Sequence, residues 1–237
     1  MLLFYAPDIM GSTYVLSEIE SRHVLKVLRK SVGDIIYLTD GKGNMYTTRI
    51  TGADVKACMV EVVDVERDYR PLPYQLHMAV APTKNQDRME WFAEKAVEIG
   101  VSRISTIICD NSERISVKAD RLQRVMVSAM KQSLCAQLPL LDVNVPFNAL
   151  LEEYKEQSAL KLIAYCGASP VEKLPLKQIV QAKQNVLVLI GPEGDFSERE
   201  FQQALSQSFV PVTLGDMRLR TETAALYVCA AVNLLNQ

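Results

Sequence analysis

The first seventy residues alternate short apolar runs with turn-forming residues. Five runs are rich in β-branched and aromatic side chains, which is the pattern of strands in a small sheet. These runs are Leu2–Tyr5, Thr13–Leu16, Ile35–Thr39, Met45–Ile50 and Ala57–Val65. One helix interrupts them, because Ser17 and Glu20 have the spacing of a capping box and an apolar stripe follows. We therefore predict a small β-barrel over residues 1–70 that carries one basic helix.

The proline-containing segment Tyr69–Pro73 predicts a linker, because neither a strand nor a helix runs easily through its two prolines. Beyond it, strand-length apolar runs alternate with helix-length segments. The predicted strands are Gln75–Ala81, Ile104–Cys109, Lys161–Tyr165, Val186–Ile190 and Val210–Leu214. The predicted helices are Asn85–Ile99, Ala119–Cys135, Leu176–Ala182, Ser197–Gln207 and Glu222–Leu235. This alternation favours a parallel sheet covered on both faces, so we predict an α/β domain over residues 74–237.

Composition and charge narrow the class of protein. Of the 237 residues, 49% are hydrophobic and 23% are charged, which is typical of a globular protein. No apolar run approaches the roughly 18–20 residues that span a bilayer, and the first residues lack the features of a signal peptide. Five scattered cysteines without metal-binding spacing favour reduced thiols in the cytoplasm. The net charge of -2 means that nucleic-acid binding would need a local basic patch.

A glycine-rich turn, Gly191–Gly194, follows the most apolar of the predicted strands. Ligands of parallel sheets bind beyond the carboxyl ends of the strands, and glycines let the backbone approach a ligand closely. The turn lacks the lysine of a phosphate-binding loop, and the acids Glu193 and Asp195 would repel phosphate. The turn therefore favours a neutral or cationic ligand such as S-adenosylmethionine. An ordinary tight connection between strand and helix is the alternative.

A second polar turn also lies between a predicted strand and a predicted helix. The segment Leu214–Ala224 holds one glycine, two arginines, one glutamate and two threonines. Capping of the helix would require only Thr221 or Thr223. The density of polar groups ahead of so apolar a helix therefore indicates a second ligand-binding loop.

Two motifs that include these turns, IGPEGDFSERE and LGDMRLRTETA, closely resemble the RsmE family of 16S rRNA uracil-N3 methyltransferases, which belongs to the SPOUT class. The segments His23–Arg29 and Thr39–Gly43 are similar to the N-terminal PUA-like RNA-binding barrel of that family. Lys84–Gly100 resembles its signature helix, and the polar segments Asn111–Arg114 and Lys131–Ser133 match as well. The resemblance therefore covers nearly the whole chain.

The resemblance implies a fold that periodicity does not reveal. A PUA-like β-barrel would precede a SPOUT methyltransferase domain whose parallel sheet carries a deep trefoil knot near the carboxyl terminus. S-adenosyl-L-methionine would lie bent inside the knot, and a homodimer would act on 16S rRNA in the assembled small ribosomal subunit, with neither a metal nor a membrane. The implied cofactor-binding residues are Ala164, Tyr165, Gly167, Ile190, Gly191, Pro192, Glu193, Gly194, Leu214, Gly215, Met217, Leu219, Arg220 and Thr223.

This chain departs from the family pattern at two positions in those loops. Asp195 stands where the family usually has glycine. Met217 stands where the family usually has arginine, and Arg218 lies beside it. The role of an arginine at position 217 therefore does not carry over, and it stays open whether Arg218 replaces it.

The implied reaction moves a methyl group to uracil N3, which must lose its proton. The resulting charge spreads onto O2 and O4 of the base, where a cation would stabilise it. We expect Arg220 to be that cation and Glu222 to accept the proton or to orient the arginine. The alternative is a structural ion pair between these two residues. Since N3 lies on the pairing edge, the uridine must be unpaired or flipped.

Other positions complete the predicted site. Six basic residues are candidates for contacts with RNA phosphates, with simple solvation as the alternative: Arg22, Arg29, Lys84, Arg88, Arg114 and Lys131. We expect His23 and His77 to be packing or surface residues and Trp91 to lie in the core or an interface. The last helix is apolar almost all round, which favours a homodimer. A SPOUT methyltransferase of tRNA and a non-catalytic RNA-binding protein remain the competing functions.

Overall fold

The computed structural model describes residues 2–237, and the chain divides into two compact units. Among the described residues, the first unit comprises residues 2–71 with Val127–Leu138, and the second comprises Leu72–Met126 with Pro139–Gln237. The short segment 127–138 thus belongs to the first unit although it follows much of the second in sequence. The predicted domain limits at residues 70 and 74 stay a prediction.

The first unit is built on a curled five-stranded sheet with the strand order β1-β3-β4-β5-β2. Its strands are β1 (Leu3–Tyr5), β2 (Thr13–Val15), β3 (Ile35–Thr39), β4 (Met45–Gly52) and β5 (Met59–Glu66). β1 is parallel to β3 and the other pairs are antiparallel. Within residues 2–237 the two edge strands do not pair with each other, so the predicted barrel is an open half-barrel.

The predicted helix of this unit begins where the sequence placed it. Ser17 caps α1 (Glu18–Arg22) by accepting a hydrogen bond from the Glu20 N–H at 3.3 Å, and a π-helical segment, His23–Val27, continues the chain. The second half of the predicted capping box does not form. The Glu20 carboxylate instead accepts a hydrogen bond from Lys131 at 2.5 Å.

The second unit contains the predicted parallel sheet, which has seven strands in the order β10-β12-β9-β11-β6-β7-β8. The strands are β6 (Leu76–Val80), β7 (Arg103–Ile108), β8 (Leu140–Pro146), β9 (Leu160–Ala164), β10 (Leu174–Pro175), β11 (Val186–Ile190) and β12 (Val210–Thr213). Every pairing in it is parallel, as expected. The remaining helices of the chain are α2 (Gln86–Ile99), α3 (Ala119–Gln132), α4 (Phe147–Glu153), α5 (Leu176–Ile179), α6 (Glu198–Ser206) and α7 (Thr221–Leu234).

Helices cover both faces of this sheet. All five residues of β6 and of β11 are buried, which explains why these central strands read as continuous apolar runs. Phe147 of α4 and Phe201 of α6 belong to one core cluster with Leu187 and Leu189 of β11. Helix α7 packs against α2, β6 and β11.

The last helix is covered within its own chain more fully than its composition suggested. Ala225, Val228, Cys229 and Val232 are all fully buried. The side chains left exposed on α7 include Tyr227 and Leu234, at 49% and 70% exposure. Only this narrower stripe is available for a partner. Residues 2–237 contain no helix with the length and hydropathy of a membrane span. The trefoil knot stays a prediction.

Candidate functional site

Three predicted loops meet at the carboxyl edge of the seven-stranded sheet. Because β11, β9 and β12 are parallel neighbours, the loops that follow them surround one cavity of about 870 Å³. That volume is in the usual range for small-molecule sites. All the predicted cofactor-binding residues except Thr223 line this cavity, which we call the loop cavity. Residues of three strand-end loops thus line one cavity, and their binding of the cofactor stays a prediction.

The turn after β11 requires glycine for a reason internal to the fold. A Cβ atom at Gly191 would lie 3.1 Å from the ring of Phe196 and 3.1 Å from its backbone nitrogen. The carbonyl oxygen of Gly191 accepts a hydrogen bond at 3.2 Å from Thr221 Oγ1, which ties this turn to the start of α7. The predicted capping box of Ser197 and Glu200 is present and starts α6 directly after the turn.

The two acidic residues of this turn act as clamps between loops. Glu193 Oε1 accepts a hydrogen bond from the Lys84 N–H at 2.9 Å. Asp195 Oδ2 accepts hydrogen bonds from the N–H groups of Cys166 and Gly167 at 2.9 and 3.2 Å. Their carboxylates therefore hold backbone, and selection of a cationic ligand by their charge is not needed to explain them. Asp195 has a φ of 64°, a left-handed conformation in which glycine would be unstrained.

The turn after β12 forms the opposite wall of the loop cavity. Gly215 has a φ of 109°, and its N–H donates to Thr213 Oγ1 at 3.2 Å. Met217 and Arg218 both line the cavity and both are exposed. Arg218 is thus in the same wall as the position where the family usually has arginine.

One wall residue, Lys173, had no signal in the sequence. Its ammonium group donates to the Gly167 carbonyl at 2.6 Å and lies 5.4 Å from the centre of the Tyr165 ring. The Tyr165 ring stacks on Phe201, and its hydroxyl donates to Glu198 at 3.1 Å. Burial, followed by that bond to Glu198, raises the pKa of Tyr165 above its ordinary value. Tyr165 is therefore a neutral wall of the loop cavity at physiological pH.

A second cavity adjoins the first and contains the predicted catalytic pair. It measures about 490 Å³, and its lining consists of Asp87, Arg88, Trp91, Arg220, Glu222 and Thr223. Arg220 lines both cavities. Thr223 faces this one rather than the loop cavity. We call this second space the Trp91 cavity.

Glu222 is nearly buried, and its ion pair is with α2 rather than with Arg220. Its side chain is 9% exposed, and Oε1 lies 3.7 Å from Nε of Arg88. Within residues 2–237 no ion pair joins Arg220 to Glu222, so the structural pair considered from the sequence is not formed. Arg220 is exposed at the first position before α7, where its side chain makes no capping bond.

The six basic residues proposed for RNA contacts fall into two groups. Arg22, Arg29 and Lys131 belong to the first unit, where Arg22 pairs with Glu18 at 2.9 Å and Lys131 with Glu20. Lys84, Arg88 and Arg114 belong to the second unit, where Lys84 pairs with Glu113 at 2.8 Å and Arg114 donates to the Lys84 carbonyl at 2.9 Å. Arg29 is exposed, whereas the Lys131 side chain is only 21% exposed. RNA binding by each stays a prediction.

His77 lies toward the opposite, amino-terminal edge of the sheet and takes the packing role that the sequence favoured. It is 5% exposed, with Nδ1 at 2.7 Å from the Tyr154 hydroxyl and Nε2 at 2.7 Å from Ser105 Oγ. Ser105 donates its only hydroxyl proton to Asp142 at 2.9 Å. Ser105 must therefore accept from His77 Nε2–H, and Nδ1 accepts from Tyr154. His77 is a neutral imidazole with both nitrogens satisfied.

Comparison with known proteins agrees with both units. Residues 70–233 match the family model of the RNA methyltransferase domain, and residues 16–63 match that of the RNA methyltransferase PUA domain. A ribosomal RNA small subunit methyltransferase E from Aquifex aeolicus is 28% identical over 236 residues, which is 96% of this chain and 97% of that protein.

Two solved structures resemble the chain over its whole length. A probable rRNA-methyltransferase from Porphyromonas gingivalis is 43% identical with a TM-score of 0.92, over 100% of this chain and 98% of that one. A ribosomal RNA small subunit methyltransferase E from Neisseria gonorrhoeae, bound to S-adenosyl methionine, is 31% identical with a TM-score of 0.82, over 100% of this chain and 98% of that one. The chain therefore belongs to the RNA methyltransferases with a PUA domain, and among them to the ribosomal RNA small subunit methyltransferase E family.

Proposed function

We propose that this protein transfers a methyl group from S-adenosyl-L-methionine to N3 of a uridine in 16S rRNA. The observation that carries the proposal is the loop cavity, which the three strand-end loops form next to Arg220 and Glu222. The Neisseria gonorrhoeae relative is bound to S-adenosyl methionine, which supports the same cofactor for this chain.

The loop cavity suits this cofactor in size and in the character of its walls. Backbone groups of residues 190–194 and 214–219 would supply donors and acceptors for an adenine edge and a ribose. The neutral ring of Tyr165 and the apolar side chains of Ile190 and Leu219 would supply the hydrophobic surface that such sites use. When bound, the cofactor supplies a methyl group on a sulfonium sulfur, and the carbon–sulfur bond breaks with its electron pair on sulfur as N3 bonds the carbon.

The chain's own residues would remove the proton and stabilise the charge. Glu222 is the carboxylate that would accept the N3 proton, since it is nearly buried and lines the cavity beside the loops. Arg220 would face the negative charge that develops on O2 and O4 of the base. Arg220 lines both cavities, which supports this role.

We further propose a homodimer that acts in the cytoplasm on the assembled small ribosomal subunit. The exposed stripe of α7, with Tyr227 and Leu234, would pair with its copy, because a two-fold interface uses the same surface twice. All five cysteines are free thiols, which fits a reducing compartment. Light scattering of Tyr227→Glu should show a monomer, whereas Thr213→Ser, outside α7, should leave the dimer intact. A native protein that is monomeric and active at micromolar concentration would contradict the dimer.

The function is tested by mapping methylated nucleotides in a strain that lacks the gene. Mass spectrometry of its 16S rRNA should show one uridine without its N3-methyl group. The native gene should restore that group, and a Glu222→Gln gene should not. Unchanged 16S rRNA together with a missing methyl group in tRNA would instead favour the tRNA alternative.

A further inference from the structure

We propose that the Trp91 cavity is the acceptor-base site, which takes one unpaired uracil stacked on Trp91 with its edge read by Arg88, Glu222 and Arg220. This inference rests on the proposed function and assigns a place in the chain to its nucleic-acid substrate. The cavity measures about 490 Å³ and adjoins the loop cavity.

The first observation is the position of Arg220 between two cavities. Its side chain lines the Trp91 cavity and the loop cavity alike. A methyl transfer needs the two reacting atoms within near contact distance, which requires that donor and acceptor occupy adjoining spaces. The Trp91 cavity is the space that adjoins the loop cavity at the expected catalytic cation.

The second observation is a carboxylate on a mostly buried side chain, with unused acceptor capacity toward the cavity. The Glu222 side chain is 9% exposed and accepts no hydrogen bond within residues 2–237, and its oxygens are not among the buried unpaired atoms of that range, so they face the open cavity. Its contact with Arg88 at 3.7 Å is longer than a hydrogen bond. Because these oxygens have no partner in the protein and line the cavity, their lone pairs are available to a donor on a ligand.

The third observation is an exposed tryptophan on the same helix as Arg88. Trp91 is 44% exposed, so of the two places considered from the sequence, the core and an interface, it does not lie in the core. It follows Asp87 and Arg88 by four and three positions on α2, which places all three on one side of the helix. An indole face at the wall of a cavity is a stacking platform for a nucleobase.

The three polar groups match the edge of uracil. Uracil presents one N–H donor, N3, between two carbonyl acceptors, O2 and O4. Arg88 and Arg220 can only donate hydrogen bonds, and Glu222 as a carboxylate can only accept them. Cytosine would present an unprotonated N3 to the carboxylate, which leaves two acceptors facing each other. The cavity therefore selects uracil, and Arg88 contacts the base edge rather than a phosphate.

Trp91 is the sole tryptophan of the chain, so its fluorescence reports directly on this cavity. The probe is a short single-stranded RNA with one uridine, titrated in the presence of S-adenosylhomocysteine. We expect saturable quenching, and binding about tenfold weaker when cytidine replaces that uridine. Glu222→Gln should keep the quenching, since the amide oxygen still accepts from N3–H, while methylation falls about a hundredfold or more. Absence of quenching at RNA concentrations that support methylation would overturn the proposal.

Kinetics with assembled small subunits give a second, independent test. Trp91→Ala should raise KM for the subunit about tenfold with little change in cofactor affinity, and Trp91→Phe should restore most of it. The matched control is Glu94→Ala, one turn further along α2 and outside the cavity, which should leave KM unchanged. An unchanged KM in Trp91→Ala would overturn the proposal. It would also be overturned if Trp91→Ala dissociates the dimer and its KM returns to the native value at higher protein concentration.

A substitution of Arg88 distinguishes a contact with the base edge from a contact with a phosphate. If Arg88 reads the base edge, Arg88→Gln should reduce the preference for uridine over cytidine and leave the salt dependence of RNA binding unchanged. A salt slope that falls by about one, with the preference intact, would place Arg88 on a phosphate and contradict the assignment. Failure of the proposed function itself would look different, because the native protein would then bind no cofactor and methylate no uridine N3.

Discussion

The two edges of the seven-stranded sheet treat buried polar groups in opposite ways. At the amino-terminal edge, His77 has a partner on each ring nitrogen, and Ser105 and Asp142 continue the network to Arg103 at 2.6 Å. At the carboxyl edge, Glu222 is nearly as buried and has only a 3.7 Å ion pair. Both regions lie in the same unit and share the same strands.

The difference separates residues that hold the fold from residues that are available for chemistry. A fully satisfied network rigidifies its surroundings and leaves no group free to bind or to exchange a proton with a ligand. A carboxylate that lines a cavity and accepts no hydrogen bond from the protein adds little to the fold and is free to bind a ligand. A histidine is the residue that most often serves as a general base, yet here the buried glutamate has the free lone pairs.

The largest expected effect is the loss of the cation at the carboxyl edge. Arg220→Ala should lower the methylation rate about 10²-fold or more, as removal of one preorganised donor does, while cofactor affinity changes much less. The rate at saturating substrate and a calorimetric titration of the cofactor check the two halves. Arg199→Ala, an exposed arginine that pairs with Asp110 on the same side of the unit, is the control and should keep its rate. If Arg220→Ala loses cofactor affinity but keeps a normal rate at saturating substrate, Arg220 is a cofactor-binding residue and not the catalytic cation.

Removal of the imidazole at the amino-terminal edge should affect stability and leave chemistry intact. His77→Ala removes the hydrogen bonds that Ser105 and Tyr154 each make to the imidazole and opens a void, so the free energy of unfolding should fall by about 2–3 kcal/mol. Urea denaturation measures this change. His23→Ala, whose side chain is 42% exposed, should cost well under half as much. A His77→Ala protein with native stability and a much slower methylation rate would contradict this assignment, because His77 would then serve the reaction rather than the fold.

The same histidine predicts a pH dependence of stability. Burial, with a smaller contribution from the charge of Arg103, lowers the pKa of His77 from 6.5 to about 3. The unfolded chain therefore binds a proton that the folded chain excludes between these values. Stability is present in full above pH 6.5 and is lost as pH falls below it, by about 2 kcal/mol at pH 5.

Thermal unfolding of native protein and of His77→Gln between pH 7.5 and 5 measures this effect. The native protein should lose more stability over that range than the variant, because glutamine does not titrate. Parallel curves for the two proteins would show that His77 does not account for the acid sensitivity.

The smallest effect we expect concerns the clamp between two loops of the cofactor site. Asp195→Gly removes the acceptor for the N–H groups of Cys166 and Gly167 but relieves the left-handed φ of 64°. These changes partly offset each other, so cofactor affinity should weaken by about fivefold, or roughly 1 kcal/mol. Asp195→Asn keeps one acceptor oxygen, so its cofactor affinity, measured by calorimetry, should lie between those of the native protein and Asp195→Gly. An affinity unchanged in both variants would mean that the clamp does not shape the cavity.

Much of the fold was predictable because its signals are local. β3 and β11 have the bounds that the sequence predicted, since each is a continuous apolar run between turn residues. The strand β8 escaped prediction because most of its residues are half-exposed at the edge of the sheet. Helix α4 has only seven residues, too few to show a helical period clearly.

The candidate site was predictable only in part for the same reason. Gly191 and Gly215 allowed the loops to be predicted, because a glycine by itself indicates a tight turn or a close approach of the backbone. Lys173 and the clamping role of Asp195 depend on contacts with residues distant in sequence or in another loop, which no local pattern encodes. The burial of Val232 and Cys229 within one chain was likewise hidden, since an apolar helix does not reveal which of its faces a partner covers.

The melting temperature of Glu222→Gln tests the central comparison most directly. If Glu222 is retained for chemistry, an uncharged isostere removes a carboxylate that accepts no hydrogen bond from the protein, and the melting temperature should stay the same or rise while methylation falls about a hundredfold. If the contact with Arg88 instead holds the fold, the loss of that pair should lower the melting temperature by several degrees. A lowered melting temperature with activity retained would contradict the assignment of the carboxyl edge as the active site.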